Sequence, residues 1–376
     1  MNEILVTGAD GFLAGWIMRG ALRRGLSVRA PVHTEEQAEN VRRMLTSEGL
    51  GLDRCSFPLV PIPREADWVE AMRGADAVVH SASTFQGGAV PLDEFSEGLG
   101  APEGPARAGE PDAETPRETS RFFDASVEAA LVVVRAAVQA GVPRVVLTSS
   151  AAAALPHGGR GELDEGHWSD PDSVFARQTA RARSGEERAM WRLGTAYLAS
   201  KVRLEREAQA ICAAGPATGL ASILPGLILG PAVGGRTPLA APLFDAALRG
   251  IPAPRLELPV VDVRDLAELH LLAIERAAAG ERFLGVSEVA SAPAMARLLR
   301  RRLGRRGRRI RPFAAPAPLV RAAGRVNPVF AVIAGLGEVR CRYRAAKARR
   351  LLGWRPRSLE CSLVDTAAYL LDNELL

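Results

Sequence analysis

A strand, a glycine-rich turn and a helix follow one another at the head of this chain. Ile4, Leu5 and Val6 are a short apolar run of the kind that makes a buried strand. Gly8 and Gly11 bracket a turn, and an amphipathic stretch carrying Trp16, Ile17, Ala21 and Leu22 runs on to Gly25. Ser27–Val32 reads as the next strand. Glycine permits the tight turn and a close backbone approach, and the helix amino terminus beyond it attracts a pyrophosphate. The spacing predicts a βαβ unit of a parallel sheet that holds a dinucleotide.

The alternation continues. Ala77–His80 reads as a strand, 126–140 as a helix, Arg144–Leu147 as a strand ending at Thr148, Ser149 and Ser150, 197–214 as a helix, and Ala221–Leu224 as a strand. Strands alternating with helices predict an α/β fold with a doubly wound parallel sheet, the Rossmann arrangement. Ligands then sit beyond the carboxyl ends of the strands, where Gly8, Ser83 and Ser150 fall. Two stretches break the rhythm and read as insertions, near 86–118 and 173–192. The first is rich in Gly, Pro and acids, the second is charged and could be helical.

Tyr197 and Lys201, four residues apart, share one face of their helix. A free tyrosine has a pKa of about 10, and a nearby ammonium favours the phenolate. That pairing makes an acid/base usable near neutrality. The spacing alone also occurs on ordinary helix surfaces. With the glycine turn and the serine pair at a strand end, it points to an enzyme. Ser150 is preferred to Ser149 because it stands later at the strand tip, although a serine pair there also serves as turn chemistry.

Composition narrows the alternatives. The chain has 376 residues, 47% hydrophobic and 24% charged, which is ordinary for a globular protein of one large or two smaller domains. No apolar run reaches the roughly 18 residues of a membrane span. The start carries no basic segment or signal core. Cys55, Cys212, Cys341 and Cys361 show no metal-ligand spacing and read as reduced thiols. The expected setting is therefore cytoplasmic, with no metal and no membrane. The net charge of +5 gathers in Arg297–Arg311. With no interleaved aromatic or reading motif, that stretch reads as a solvated face rather than a nucleic-acid surface.

These motifs, in this order, resemble the extended short-chain dehydrogenase/reductases, in the dihydroflavonol-4-reductase and cinnamoyl-CoA-reductase branch that includes bacterial aldehyde and ketone reductases. Val6–Ala14 is similar to its glycine fingerprint, with Ala14 in the third glycine place, and Asp76–Ser83 to its fourth-strand motif. Val145–Ser150 and Tyr197–Lys201 are similar to its catalytic segments. Leu224–Pro231, Val260–Asp265, Gly280–Leu284 and Lys347–Trp354 are similar to its later signatures. The resemblance implies that Ser150, Tyr197 and Lys201 are catalytic. It implies that the cofactor is held by Thr7, Gly8, Asp10, Gly11, Phe12, Leu13, Arg29, His33, Ile62, Ser81, Ala82, Ser83, Thr148, Tyr197, Lys201, Pro225, Gly226 and Leu227. It further implies a Rossmann domain over 1–225 and a smaller, mainly substrate-binding domain over 226–376, with 259–276 returning to the core.

The implied activity is NAD(P)H-dependent reduction of a ketone or aldehyde of a small or mid-sized metabolite, or the reverse. NADP(H) is favoured and NAD(H) is the alternative, because His33 and Asn40 stand where the branch has basic residues. Arg29 and Arg42 are nearby substitutes. No Asp or Glu ends the second strand to take the ribose of NAD, and Pro61–Pro63 replaces the acidic residue near the adenine. Leu155 stands where flavonoid reductases have a substrate-binding Asn, which argues against a polyphenol. A nucleotide-sugar epimerase or dehydratase, or a 3β-hydroxysteroid dehydrogenase/isomerase, shares the fold. Ala151 and Ala152 stand where sugar dehydratases have Asp-Glu. A non-catalytic NAD(P)-binding sensor is the third reading. Monomer and homodimer both remain open.

Overall fold

The computed structural model describes residues 1–60, 64–81, 115–156, 159–170, 176–215, 217–234, 237–238, 240–326, 330 and 339–375. The first half runs β1 (Glu3–Thr7), α1 (Phe12–Arg23), β2 (Ser27–Arg29), α2 (Glu35–Ser47), β3 (Cys55–Ser56), α3 (Glu65–Met72), β4 (Ala77–His80), α4 (Thr115–Gln139) and β5 (Arg144–Thr148). A 3-10 turn (Ala151–Ala154), β6 (Arg160–Leu163), α5 (Ala176–Arg181), α6 (Gly185–Ala214), β7 (Gly219–Pro225) and β8 (Leu227–Leu229) follow. The remainder is α7 (Ala241–Leu248), β9 (Glu257–Asp262), α8 (Val263–Arg276), β10 (Arg282–Gly285), β11 (Glu288–Ser291), α9 (Ala292–Leu303), α10 (Ala317–Ala323), β12 (Arg340–Tyr343), α11 (Lys347–Leu352) and α12 (Leu359–Asp372).

The main sheet has the order β10-β7-β5-β4-β1-β2-β3 and every pair in it is parallel. Strand side chains alternate between faces, so Ile4 and Val6 pack into one layer and Leu5 into the other. The first layer sets Leu13 and Ile17 of α1 and Val41 of α2 against Leu266 and Leu269 of α8. The second joins Trp68 of α3, Leu131 and Val134 of α4, and Leu204 and Ala208 of α6. The expected doubly wound sheet is present. A separate apolar cluster of Leu229, Phe244, Met295, Leu299, Leu363 and Leu370 lies around a small sheet of order β11-β9-β8.

Two helices are longer than the sequence reading had them. Helix α4 starts at Thr115 rather than Ser126, so the end of the expected 86–118 insertion is helical. Helix α6 starts at Gly185 rather than Tyr197. Its start is fixed by Ser184, whose Oγ accepts the Glu187 amide at 3.0 Å, while the Glu187 carboxylate accepts the Arg183 amide at 2.9 Å. The serine satisfies a free first-turn amide, and the glutamate three residues on ties back the residue before the cap, which together mark the helix start.

Candidate active site

Strand order reverses between β1 and β4, which opens a crevice at their carboxyl ends. Gly8 follows β1 with φ +66°, in the left-handed region that a side chain would strain. This lets the Gly11 amide close onto the Gly8 carbonyl at 2.7 Å. Gly11 then caps α1 with no side-chain hydrogen bond, and the first turn holds no acid. The Phe12 and Leu13 amides thus begin a 12-residue helix whose cap residue has no side chain. This is the donor set a pyrophosphate needs, so the crevice fits a dinucleotide. Beside it, Asp10, Asn40, Arg43 and Ala232 line a cavity of about 660 Å³.

Across the crevice, β5 ends in Thr148, and Ser149 and Ser150 continue it. Ser150 is extended, and its Oγ accepts the Ala152 amide at 3.2 Å, capping the 3-10 turn. Its hydroxyl is also hydrogen-bonded to the Tyr197 phenol. Lys201 stands one turn along α6, its Nζ 5.7 Å from the centre of the Tyr197 ring. Phe123 of α4 meets that ring edge-on at 6.1 Å. Ser150, Tyr197 and Lys201 are therefore together.

The electrostatics differ from the simple expectation. Burial is the largest influence on Tyr197 and raises its pKa, while the Ser150 hydrogen bond pulls it down. Burial also pushes Lys201 down to about 8. In a poorly solvated pocket the charged forms of both groups are disfavoured, and this outweighs the lowering expected from the lysine.

Several expected cofactor residues are occupied by the fold itself. The Thr7 hydroxyl lies 2.9 Å from Nδ1 of His80, and the Ser81 hydroxyl donates to the Thr7 carbonyl at 2.8 Å. Both contacts tie β1 to β4. The Thr148 hydroxyl lies 2.9 Å from Nε2 of His270, whose Nδ1 lies 2.8 Å from the Leu266 carbonyl. A carbonyl only accepts, so Nδ1 of His270 carries the proton and Nε2 accepts from Thr148. Burial holds both histidines near a pKa of 4, with Lys201 also acting on His80, so both are neutral.

Arg29 needs correction. Its guanidinium donates to the Ala71 and Arg73 carbonyls at 2.7 and 3.0 Å and pairs with the Glu3 carboxylate. Those partners lie at the amino-terminal edge of the sheet, opposite the crevice. Arg42 is likewise stacked over Phe57, 5.0 Å from the ring centre. Its neighbour Arg43, which the sequence reading passed over, faces the cavity with Asn40. His33 is exposed, and its Nδ1 donates to the Val60 carbonyl at 2.8 Å. Pro225 ends β7 and Leu227 opens β8, with Gly226 between them. A side chain on Gly226 would come within 2.4 Å of the Pro259 carbonyl oxygen, so only glycine fits that approach. Ile62, Ala82 and Ser83 lie outside the described residues. Among the described residues, no group of His, Cys, Asp and Glu could hold a metal, and no helix is long and apolar enough to cross a membrane.

No protein-family model matches the chain. It is 27% identical to dihydroflavonol 4-reductase of Zea mays over 80% of this chain and 74% of that protein. It is also 27% identical to cinnamoyl-CoA reductase 1 of Oryza sativa subsp. japonica, over 79% of this chain and 75% of that one. This chain is a relative of the extended short-chain dehydrogenase/reductases, in their dihydroflavonol-4-reductase-like branch. The fold is also that of the yeast methylglyoxal/isovaleraldehyde reductase Gre2, solved with NADPH. The TM-score is 0.71 and the identity 19%, over 99% of both chains.

Proposed function

We propose that this enzyme of the short-chain dehydrogenase/reductase type reduces the carbonyl of a small or mid-sized metabolite with NADPH, or runs the reverse reaction. The observation that carries the reading is the hydrogen bond between Ser150 and Tyr197, with Lys201 one turn further on. The dinucleotide, when bound, supplies the hydride. Negative charge then develops on the carbonyl oxygen, and Tyr197 donates its phenolic proton there while Ser150 hydrogen-bonds the same oxygen. Lys201 contacts the nicotinamide ribose and favours the phenolate left behind. Gly8, Gly11, Phe12 and Leu13 hold the pyrophosphate, and His33 with Arg43 takes the 2′-phosphate end.

The 226–376 region is proposed to supply most of the substrate pocket. Leu155 is buried, and its amide is spent on Ser169 Oγ at 2.6 Å, so it adds no polar anchor for a polyphenol. The proposed substrates are accordingly aldehydes and ketones poor in hydroxyl groups. The test is a fluorescence titration with NADPH and NADH, followed by a panel that includes methylglyoxal and isovaleraldehyde. Binding followed by carbonyl-dependent oxidation of NADPH is expected. Binding with no turnover across the panel would leave a dinucleotide-binding protein and defeat the reductase reading.

A further inference from the structure

Behind the crevice lies a buried ion pair with no part in proton or hydride transfer. Glu205 of α6 is fully buried, and Arg282 of β10 is 5% exposed. The guanidinium donates from Nε to Oε1 at 2.5 Å and from Nη2 to Oε2 at 3.2 Å, a two-point grip that fixes the carboxylate plane. Nη1 donates to the Glu165 and His167 carbonyls at 2.7 and 2.6 Å. The Trp168 ring lies 3.8 Å from the guanidinium carbon. The arginine is thus held on every side, and it holds Glu205 in turn. The remaining partner is decisive. Ser149 is 5% exposed and donates its hydroxyl to Glu205 Oε2 at 2.9 Å. Its backbone amide bonds the Ile223 carbonyl of β7 at 2.7 Å.

We propose that Glu205, clamped by Arg282, is a positioning residue that sets the Ser150–Tyr197 geometry by anchoring Ser149. Ser149 and Ser150 are adjacent, so holding Ser149 on Glu205 fixes the stretch of backbone from which Ser150 reaches Tyr197. Glu205 also lies one turn beyond Lys201 and two beyond Tyr197 on α6. A single carboxylate therefore fixes the strand end to the helix that carries both other groups. A buried pair does not need this arrangement to be stable, since apolar replacements of such pairs are often as stable or more so. What an apolar pair cannot do is accept the Ser149 hydroxyl.

The inference rests on the Ser150–Tyr197–Lys201 reading, and the test separates the two. Ser149→Ala removes one hydrogen bond and leaves the ion pair whole, so it folds even if Glu205→Gln, which strands a buried arginine, does not. In wild type and Ser149→Ala, phenol ionisation of the cofactor-free protein is followed by ultraviolet difference absorbance. Tyr197→Phe identifies which of the three tyrosines is read. Lys201, on the same helix, lies against the Tyr197 ring and acts in turn on His80 of β4, and neither is altered. The Tyr197 transition is expected to move to higher pH in Ser149→Ala, because the looser Ser150 bond no longer favours the phenolate. In the reductase assay with NADPH and isovaleraldehyde, kcat is expected to fall by about 10- to 100-fold, the scale of a small misplacement. The NADPH Kd is expected to stay unchanged. An unmoved transition with wild-type kcat would overturn the positioning role while Ser150→Ala and Tyr197→Phe are inactive. Wild-type turnover in those last two variants would overturn both readings.

Discussion

At the scale of single residues, the site divides into groups that face the crevice and groups that hold them. Ser150 and Ser149 are adjacent, yet one meets Tyr197 and the other Glu205. That Ser150, the later of the two, stands at the strand tip was legible in the sequence. Glu205, Arg282 and His270 were not, because their partners are between 56 and 122 residues away. The spacing of Glu205 four residues after Lys201 was the available signal, since it puts a third ionisable group on the helix face of Tyr197. Two predictions belong here. Lys201, held near a pKa of about 8, loses its charge as pH rises through that value. NADPH affinity is therefore expected to weaken above about pH 8 in the wild type. It should be weaker and nearly pH-independent in Lys201→Ala, as read by fluorescence titration. An unchanged Kd in the variant would remove Lys201 from the cofactor site. His33 spends its Nδ1 proton on the Val60 carbonyl, so Nε2 is the ring nitrogen left for the 2′-phosphate end. In His33→Ala the ratio of kcat/KM for NADPH over NADH is expected to fall below that of the wild type. An unchanged ratio would show that His33 does not touch the 2′-phosphate.

At the scale of elements, the parallel strands were legible because each is a short apolar run closed by turn residues. The helix starts were less so. Ser184 and Glu187 mark the true beginning of α6, but the charged sequence between them and Tyr197 resembles a loop in composition. The small sheet of β11, β9 and β8 was not read, since its short strands pair through contacts that no local pattern announces. Gly226 joins the two sheets, passing from β7 to β8 against the Pro259 carbonyl of β9. Gly226→Ala must push that carbonyl away. The expected cost is about 1–3 kcal/mol, the usual range for overpacking, measured as a lower urea midpoint with an unchanged m-value. An unaltered midpoint would mean the junction yields freely.

At the scale of the whole molecule, the doubly wound sheet followed from alternation alone, while the ties between its layers did not. His80 and His270 are fully enclosed, and burial lowers each from 6.5 to about 4. Below the unfolded value the unfolded chain binds protons that the folded chain refuses, so stability falls as pH drops from 6.5 towards 4. Each contributes on the order of 3 kcal/mol across that window. Asp265, pushed up to about 6 by burial, acts in the opposite direction, and the two histidines together outweigh it. Urea midpoints are therefore expected to decline from about pH 7 to about pH 4.5, and a level profile would contradict neutral buried histidines. The central claim is that this fold brings Ser150, Tyr197 and Lys201 together to protonate a carbonyl oxygen. It is tested most directly by comparing NADPH oxidation by wild type and Tyr197→Phe on the same aldehyde, with NADPH binding measured alongside. The account predicts that the variant binds NADPH as the wild type does and loses about 10²–10⁴ in kcat, the usual worth of a general acid. Turnover at the wild-type rate in Tyr197→Phe would contradict it.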